Sequence, residues 1–193
     1  MMKLDYYSDF IVNTFFFFEN LQRKFSKFFI DLELLNAVIF WFTNVVRKTF
    51  NLNQFKFHNR LMEIELLHSE QMKYYKFFDH ENAFNERYKT LTDCINSVEG
   101  INFPSFMSWG ENIADYPVIK ANEQFTIEKR NGMHHFFSIN GKEIFPFSYY
   151  EYAKTVVEGW MKSSGHRENI LNPNFTYLGW GVQCTENKAT DTR

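Results

Sequence analysis

The chain has 193 residues and a formal net charge of −2, with Lys and Arg interspersed among Asp and Glu. That balance gives no electrostatic case for nucleic acid or for an acidic partner, and 24 phenylalanines argue against a disordered polymer. The length fits one domain with an additional terminal segment, enough to bury a sizeable core.

Two cysteines, Cys94 and Cys184, do not form a C-x-x-C pair, so neither a zinc knuckle nor a thioredoxin-type site follows. A single disulfide and two ordinary buried thiols both remain open. No uninterrupted apolar run reaches the ~18 residues of a membrane span. The start, MMKLDYYSDFIVNTFFFFEN, is not a recognisable secretory signal. Asp5 and Asp9 sit where positive charge belongs, Asn13 and Thr14 interrupt the apolar stretch, and no small-residue cleavage site follows. The expectation is a chain that lacks its export signal or is not exported by that route.

Residues 1–29 stand apart as a Phe-rich N-terminal segment. Arg23, Lys24 and Lys27 among the phenylalanines allow a membrane-surface helix, with peripheral contact through residues 10–29. The preferred reading is a helix or strand packed on the main domain, residues 30–187, which a polar tail, 188–193, follows.

From Asp31 the pattern is helical. Leu32, Leu35, Ile39, Phe42 and Val46 recur at steps of three and four, and Leu34, Val38, Trp41 and Val45 form a second stripe. Two stripes predict a helix buried over most of its circumference, fraying near Asn51 and Asn53. A second helix, about Asn59 to Phe77, places Leu61, Ile64, His68, Met72 and Tyr75 on one face. A turn into a shorter helix follows. Residues 100–117 are punctuated by Gly and Pro and read as a loop with a short helix or strand near Glu111. Asn131-Gly132 and Asn140-Gly141 each lie between β-like runs, which predicts a three-stranded antiparallel meander with tight turns at both. A helix over 148–164 puts Tyr149, Tyr152, Val156 and Trp160 on one face, and residues 176–186 read as a final strand. Between them, Gly165 is placed to close the helix with positive φ. Residues 166–171 add one more turn, and Asn172-Pro173 stops it. His166 is thereby held at a helix–turn–helix junction.

These stretches together resemble the CAP superfamily: cysteine-rich secretory proteins, venom antigen 5 and plant pathogenesis-related proteins. The resemblance is greatest to the bacterial branch of SCP-like extracellular domains. It rests on Asn44-Val-Val-Arg47, His68-Ser-Glu-Gln-Met72, Phe77–Asn82 (FFDHEN), Trp109–Ala114 (WGENIA), Trp160–Asn169 with its Gly165-His166-Arg167, and Gly179-Trp-Gly181. It spans about residues 31 to 184 in the family's order. The family fold implied is α+β, an α/β/α sandwich with a small antiparallel sheet between helices. The resemblance also implies a central cleft with two histidines and acidic residues, carried here by His80, Glu111 and His166. Ser163 stands where eukaryotic members place a second glutamate, so the full His/Glu/Glu/His set is absent. Cys94 replaces an arginine frequent in bacterial relatives, and the polar end after Cys184 suggests a sheet short of an edge strand.

Two imidazoles offer neutral nitrogens for zinc or another divalent cation, so His80 and His166 are the candidate metal ligands. The alternative for both is a hydrogen-bonded polar cluster that fixes loops. His68, among apolar residues, reads as a core histidine. His134 and His135 are strand neighbours that must face opposite ways, so they cannot act as one ligand pair. Ser163 and Ser164 near His166 lack the strand–turn–helix elbow of a serine nucleophile. The function expected is an SCP-like binding domain without catalysis, its cleft taking a metal ion, a small molecule or a lipid. The alternative is a metal-dependent hydrolase with Glu111 as general base. The resemblance implies an extracellular or cell-envelope setting.

Overall fold

The computed structural model describes residues 21–25, 30–97, 108–120, 124–131 and 133–184. Helix α1, Leu32–Thr49, begins where Asp31 accepts a hydrogen bond from the Leu34 N–H (3.0 Å), an N-cap that satisfies one of the free donors of the first turn. Leu34 to Ile39 are all buried, as the double stripe requires. The helix unwinds through Asn51, left-handed at φ 56°.

Strand β1, Lys56–Phe57, leads into α2, Asn59–Tyr75, which buries Ile64 and His68 and stops at Lys76, left-handed at φ 58°. A 3-10 turn, Glu86–Tyr88, and helix α3, Leu91–Ser97, follow. Strands β2 (Phe125–Arg130), β3 (Met133–Ser138) and β4 (Glu143–Ile144) form the antiparallel meander in the order β2-β3-β4. At its second turn Gly141 adopts φ 74° and donates to the Ser138 carbonyl (2.9 Å). At the first, Asn131 is left-handed at φ 51°, while Gly132 lies outside the described residues. Helix α4, Tyr149–Lys162, opens with a capping box in which Ser148 and Glu151 satisfy each other's backbone N–H groups. Helix α5, Ser164–Leu171, follows directly.

Three expectations are corrected. Gly165 lies inside α5 without positive φ. The break is made two residues earlier by Ser163, extended at φ −93° and ψ 128°, whose carbonyl takes the Arg167 N–H (2.9 Å), so no left-handed residue is needed. The irregular 108–117 segment forms neither helix nor strand near Glu111. Its carbonyls go to side chains instead: Trp160 Nε1 to Ile113 and the Tyr152 hydroxyl to Tyr116. The final strand shrinks to β5, Tyr177–Leu178, which pairs in parallel with β1 rather than with the meander.

The reason lies in Gly179-Trp180-Gly181. A Cβ on Gly179 would strike the backbone of Leu61 and Met62, and one on Gly181 the backbone of Glu65 and Leu66, a turn further along α2. The Gly181 carbonyl accepts from the Ser69 hydroxyl (2.7 Å), so a helix stands where a partner strand would pair. Between the two glycines Trp180 turns the other way and stacks on Trp160 of α4 (5.0 Å, 18°). Alternation along an extended chain thus places this segment between α2 on one side and the α1–α4–α5 layer on the other. The architecture is the α+β sandwich. The main core joins Leu34, Leu35, Val38 and Ile39 of α1 to Ala153, Val156, Val157 and Trp160 of α4, with Leu21, Phe25 and Trp180 added. A smaller cluster, Ile64, Cys94 and Ile95, holds α3 on α2.

Of the Phe-rich segment only residues 21–25 are described, the rest of the stretch proposed for packing or membrane contact lying outside the described residues, and those five are tied in by charge as well as burial. Lys24 reaches Glu151 (2.7 Å), Lys120 bonds the other oxygen of that carboxylate, and Phe25 N–H meets the Phe147 carbonyl (2.8 Å). Burial alone would raise the Glu151 pKa. The two ammonium groups and the Ser148 N–H outweigh it and hold the carboxyl at about 2. A carboxylate depressed in the folded state stabilises above its unfolded pKa of about 4.3 and loses that contribution as pH falls towards its folded value. Stability should therefore drop between about pH 5 and pH 2, and Glu151→Gln should flatten that part of the curve in urea unfolding series across that range.

Glycine substitution tests the sandwich directly. Gly181→Ala forces a Cβ into helix backbone and should destabilise by more than about 2 kcal/mol, in the range of overpacking. Gly165→Ala meets open space within a helix and should stabilise by up to about 1 kcal/mol. Thermal melts of the two variants should move in opposite directions.

Candidate functional site

The loop after α2 is held rigidly before it presents any chemistry. Buried His68 sets its Nε2 3.0 Å from the Asp79 carbonyl. Asn82, fully buried, donates from its amide to Gln71 (3.3 Å), accepts the Phe84 N–H (2.9 Å) and sends its own N–H to Lys89 (2.7 Å). His80, between these anchors, stands with its side chain half exposed.

Glu111 arrives from the other side. Its carbonyl accepts from the Asn169 amide (3.1 Å), which also bonds the Asn112 side-chain oxygen (2.9 Å), and Asn112 in turn donates to the His166 carbonyl (3.0 Å). Gly110 precedes it because a Cβ there would occupy the space of the Asn169 side chain. The G-E-N segment and the G-H-R-x-N helix are therefore stitched together by amides.

The structure brings His80, Glu111 and His166 together. The Glu111 side chain is 4% exposed and places one oxygen 2.7 Å from His80 Nδ1. His166, in the first turn of α5, sets its ring centroid 6.1 Å from that of His80 at 53°. Burial, and then the neighbouring His80, hold the His166 pKa below the ordinary histidine value. Ser163 is exposed at the α4–α5 joint, and its side chain makes no hydrogen bond to cap α5. His135 pairs instead with Glu143 across the meander (2.7 Å).

Two groups near this cleft were missed by sequence reasoning. The second oxygen of Glu111 is buried, has no hydrogen-bond partner among the described residues, and lies 3.9 Å from His68 Nε2. His68 is therefore both a loop anchor and a neighbour of the carboxylate. Glu65, on the same helix, has its pKa raised well above the carboxylate range by desolvation and then by the charge of Glu111. A glutamate set between Ile64 and Leu66, three residues before a buried histidine, was the available signal. The same burial and the same two carboxylates push the Cys94 thiol up to about 11, and Cys94 and Cys184 are both free thiols.

The donors bear on metal binding in a limited way. Glu111 bonds His80 Nδ1 (2.7 Å), the kind of outer carboxylate contact that orients an imidazole, so His80 and His166 are the two imidazoles left to offer nitrogens. Two imidazoles are one fewer than the three protein ligands of a catalytic zinc site. No group of three His, Cys, Asp or Glu among the described residues is placed to hold an ion.

An α+β sandwich with a His–Glu–His cleft, built on these motifs in this order, defines a class. The family model for CAP, the cysteine-rich secretory protein family, matches residues 41–190, and the chain belongs to that family. Two Bacillus subtilis (strain 168) proteins are similar. "Uncharacterized membrane protein YlbC" is 29% identical over 140 residues, covering 72% of this chain and 29% of the relative. "Uncharacterized protein YkwD" is 31% identical over 139 residues, covering 72% and 38%. The chain thus matches about a third of the length of each relative. A solved extracellular protein containing an SCP domain from Bacillus anthracis str. Ames aligns over 78% of this chain and 37% of that one, with a TM-score of 0.48 at 21% identity. No helix among the described residues is long and apolar enough to cross a membrane.

Asn169→Ala tests the stitching. It strips a donor from the Glu111 carbonyl and the Asn112 side chain, each loss costing about 1–3 kcal/mol. The melting temperature should fall by roughly 4–24 °C for a chain of this size, as differential scanning calorimetry would read.

Proposed function

We propose that this is a non-catalytic ligand-binding domain whose His80–Glu111–His166 cleft recognises a small polar ligand, with a divalent cation such as zinc the simplest occupant. The observation that carries the reading is Glu111. It is a nearly buried carboxylate with one oxygen on an exposed-edge imidazole and the other without a hydrogen bond among the described residues. A buried acceptor without a partner costs stability, and a ligand that supplies a positive charge or a donor removes that cost. His80 and His166 would hold a cation, and Glu111 would fix the orientation of His80. A metal-dependent hydrolase would use the same three residues, with Glu111 activating water. The family's secretory character and the membrane-protein name of one relative support an extracellular or cell-envelope setting.

Only neutral imidazole coordinates, so zinc affinity should fall steeply as pH drops through about 6.5. Glu111→Gln keeps the shape and removes the charge. It should weaken zinc binding about 10- to 100-fold with little change in melting temperature. Isothermal titration of wild type and variant at pH 7.5 and pH 5.5, each with a melt, decides the matter. Equal weak binding in all four conditions would leave a polar cluster whose work is to hold the cleft in shape. Hydrolysis of an ester or peptide panel that is lost in Glu111→Gln would transfer the reading to the hydrolase.

A further inference from the structure

The last turn of α2 and the loop beyond it carry aromatic rings that belong to neither core cluster. Tyr74 is 76% exposed and Phe84 58%. Between them stands Tyr75, edge-on to Tyr74 (4.8 Å, 87°) and stacked almost flat on Phe84 (5.5 Å, 8°). Lys76, left-handed at φ 58°, turns the chain back at the end of the helix, and Phe77 then packs against Phe84 (5.7 Å). Each ring is held by another, so a partner that settles on them has little side-chain freedom to remove.

A polar group shares that helical face, since Gln71 precedes Tyr74 and Tyr75 by the steps that bring side chains together on a helix. Gln71 Oε1 accepts the amides of both Asn82 (3.3 Å) and Asn85 (3.0 Å), which clamp the loop to α2. Asn82 is fully buried, so the orientation of the Gln71 amide is set from within the fold. A planar amide fixed through its oxygen has its nitrogen turned away from the clamp. The two N–H donors of Gln71 make no hydrogen bond among the described residues, and the side chain is only half-buried. The rings therefore stand beside an oriented donor pair with nothing to donate to.

Charge narrows the partner. Residues 70–89 carry as many acidic as basic side chains, so the patch offers no net field to an anionic polymer or an anionic membrane surface. An uncharged partner is the one that matches. The negative face of an aromatic ring takes the C–H face of a pyranose, and paired N–H donors take a carbonyl oxygen. An acetamido group supplies that oxygen together with a methyl group for the apolar ledge. We propose that Tyr74, Phe84 and Gln71 form a subsite for an uncharged N-acetylhexosamine chain, its sugar rings on the exposed aromatic side chains and an acetamido carbonyl on the Gln71 N–H groups. The subsite uses none of His80, Glu111 and His166, so it stands or falls independently of zinc binding.

The test is titration calorimetry on the intact chain at pH 7.5, with EDTA present to keep metal out of the histidine cleft. The probes are tetra-N-acetylchitotetraose, cellotetraose, which has a hydroxyl in place of each acetamido group, and the anionic tetragalacturonate. Wild type should bind the acetylated chain about 5-fold or more tightly than cellotetraose, in keeping with one net hydrogen bond, and the anion most weakly. Tyr74→Ala and Phe84→Ala should each weaken both neutral chains by about 3- to 10-fold, the loss of one ring contact. Gln71→Glu keeps the oxygen that Asn82 and Asn85 need and removes the donors. It should bring the acetylated chain down to cellotetraose or below, with little change in melting temperature. Equal affinity for the two neutral chains in wild type would overturn the role of Gln71, as would an unchanged preference in a folded Gln71→Glu. Unchanged binding in folded Tyr74→Ala and Phe84→Ala would take the rings out of the site, and tightest binding of tetragalacturonate would overturn the charge argument. Binding of no tetrasaccharide would remove the subsite. Self-association in analytical ultracentrifugation that Phe84→Ala abolishes would assign the rings to a contact between copies of the chain instead.

Discussion

A single buried guanidinium holds the helical layer to the chain that crosses it. Arg47, fully buried, donates from Nε to the Asn53 carbonyl (2.7 Å), from Nη1 to those of Ile170 (2.7 Å) and Asn172 (3.0 Å), and from Nη2 to that of Phe175 (3.3 Å), with the Phe55 ring 3.9 Å away. These carbonyls belong to the exit of α1, the end of α5 and the approach to β5, where no regular ladder is available. Only a planar fork with several donors can collect acceptors in so many directions. Burial lowers the Arg47 pKa, but a guanidinium keeps its charge well above physiological pH. One turn earlier Asn44 makes a matching two-way contact with the backbone of Phe55. The N-x-x-R pair thereby sets where α5 ends, and with it where His166 stands.

The same device recurs wherever the strands are too short to pair. Asn169 serves Glu111, Trp160 serves Ile113, Tyr152 serves Tyr116 and Ser69 serves Gly181. Each side chain supplies a donor that a sheet neighbour would otherwise provide, since buried carbonyls must be paired. A cleft made in this way is positioned by amides, hydroxyls and an indole rather than by backbone ladders. Its geometry is therefore specified residue by residue, and motifs scattered over more than a hundred positions must all be present together.

Electrostatics divide the region into two compartments. On the cleft side, Glu111 is matched to His80 and lies near His68. Glu65, desolvated on α2, has no such ion pair among the described residues. Desolvation disfavours charge on both, and repulsion between them concentrates the penalty on the carboxyl that lacks an imidazole.

Periodicity determined α1 and α4 because both bury an apolar stripe, and a stripe at helical spacing has no other low-energy use. The second Asn-Gly turn was legible for a similar local reason: Gly141 must adopt positive φ. The ordered motifs made His80, Glu111 and His166 candidates, although composition and spacing alone gave them no common site. Only the tertiary structure decided what is non-local. It put the Glu111 oxygen on His80 across 31 residues and stopped the last strand at Leu178, because α2 presses on Gly179 and Gly181. It also desolvated Glu65 beside the charge of Glu111, where its own charge is costly. Local rules act through backbone dihedrals and neighbouring side chains. Desolvation and close approach depend on what the rest of the chain brings alongside.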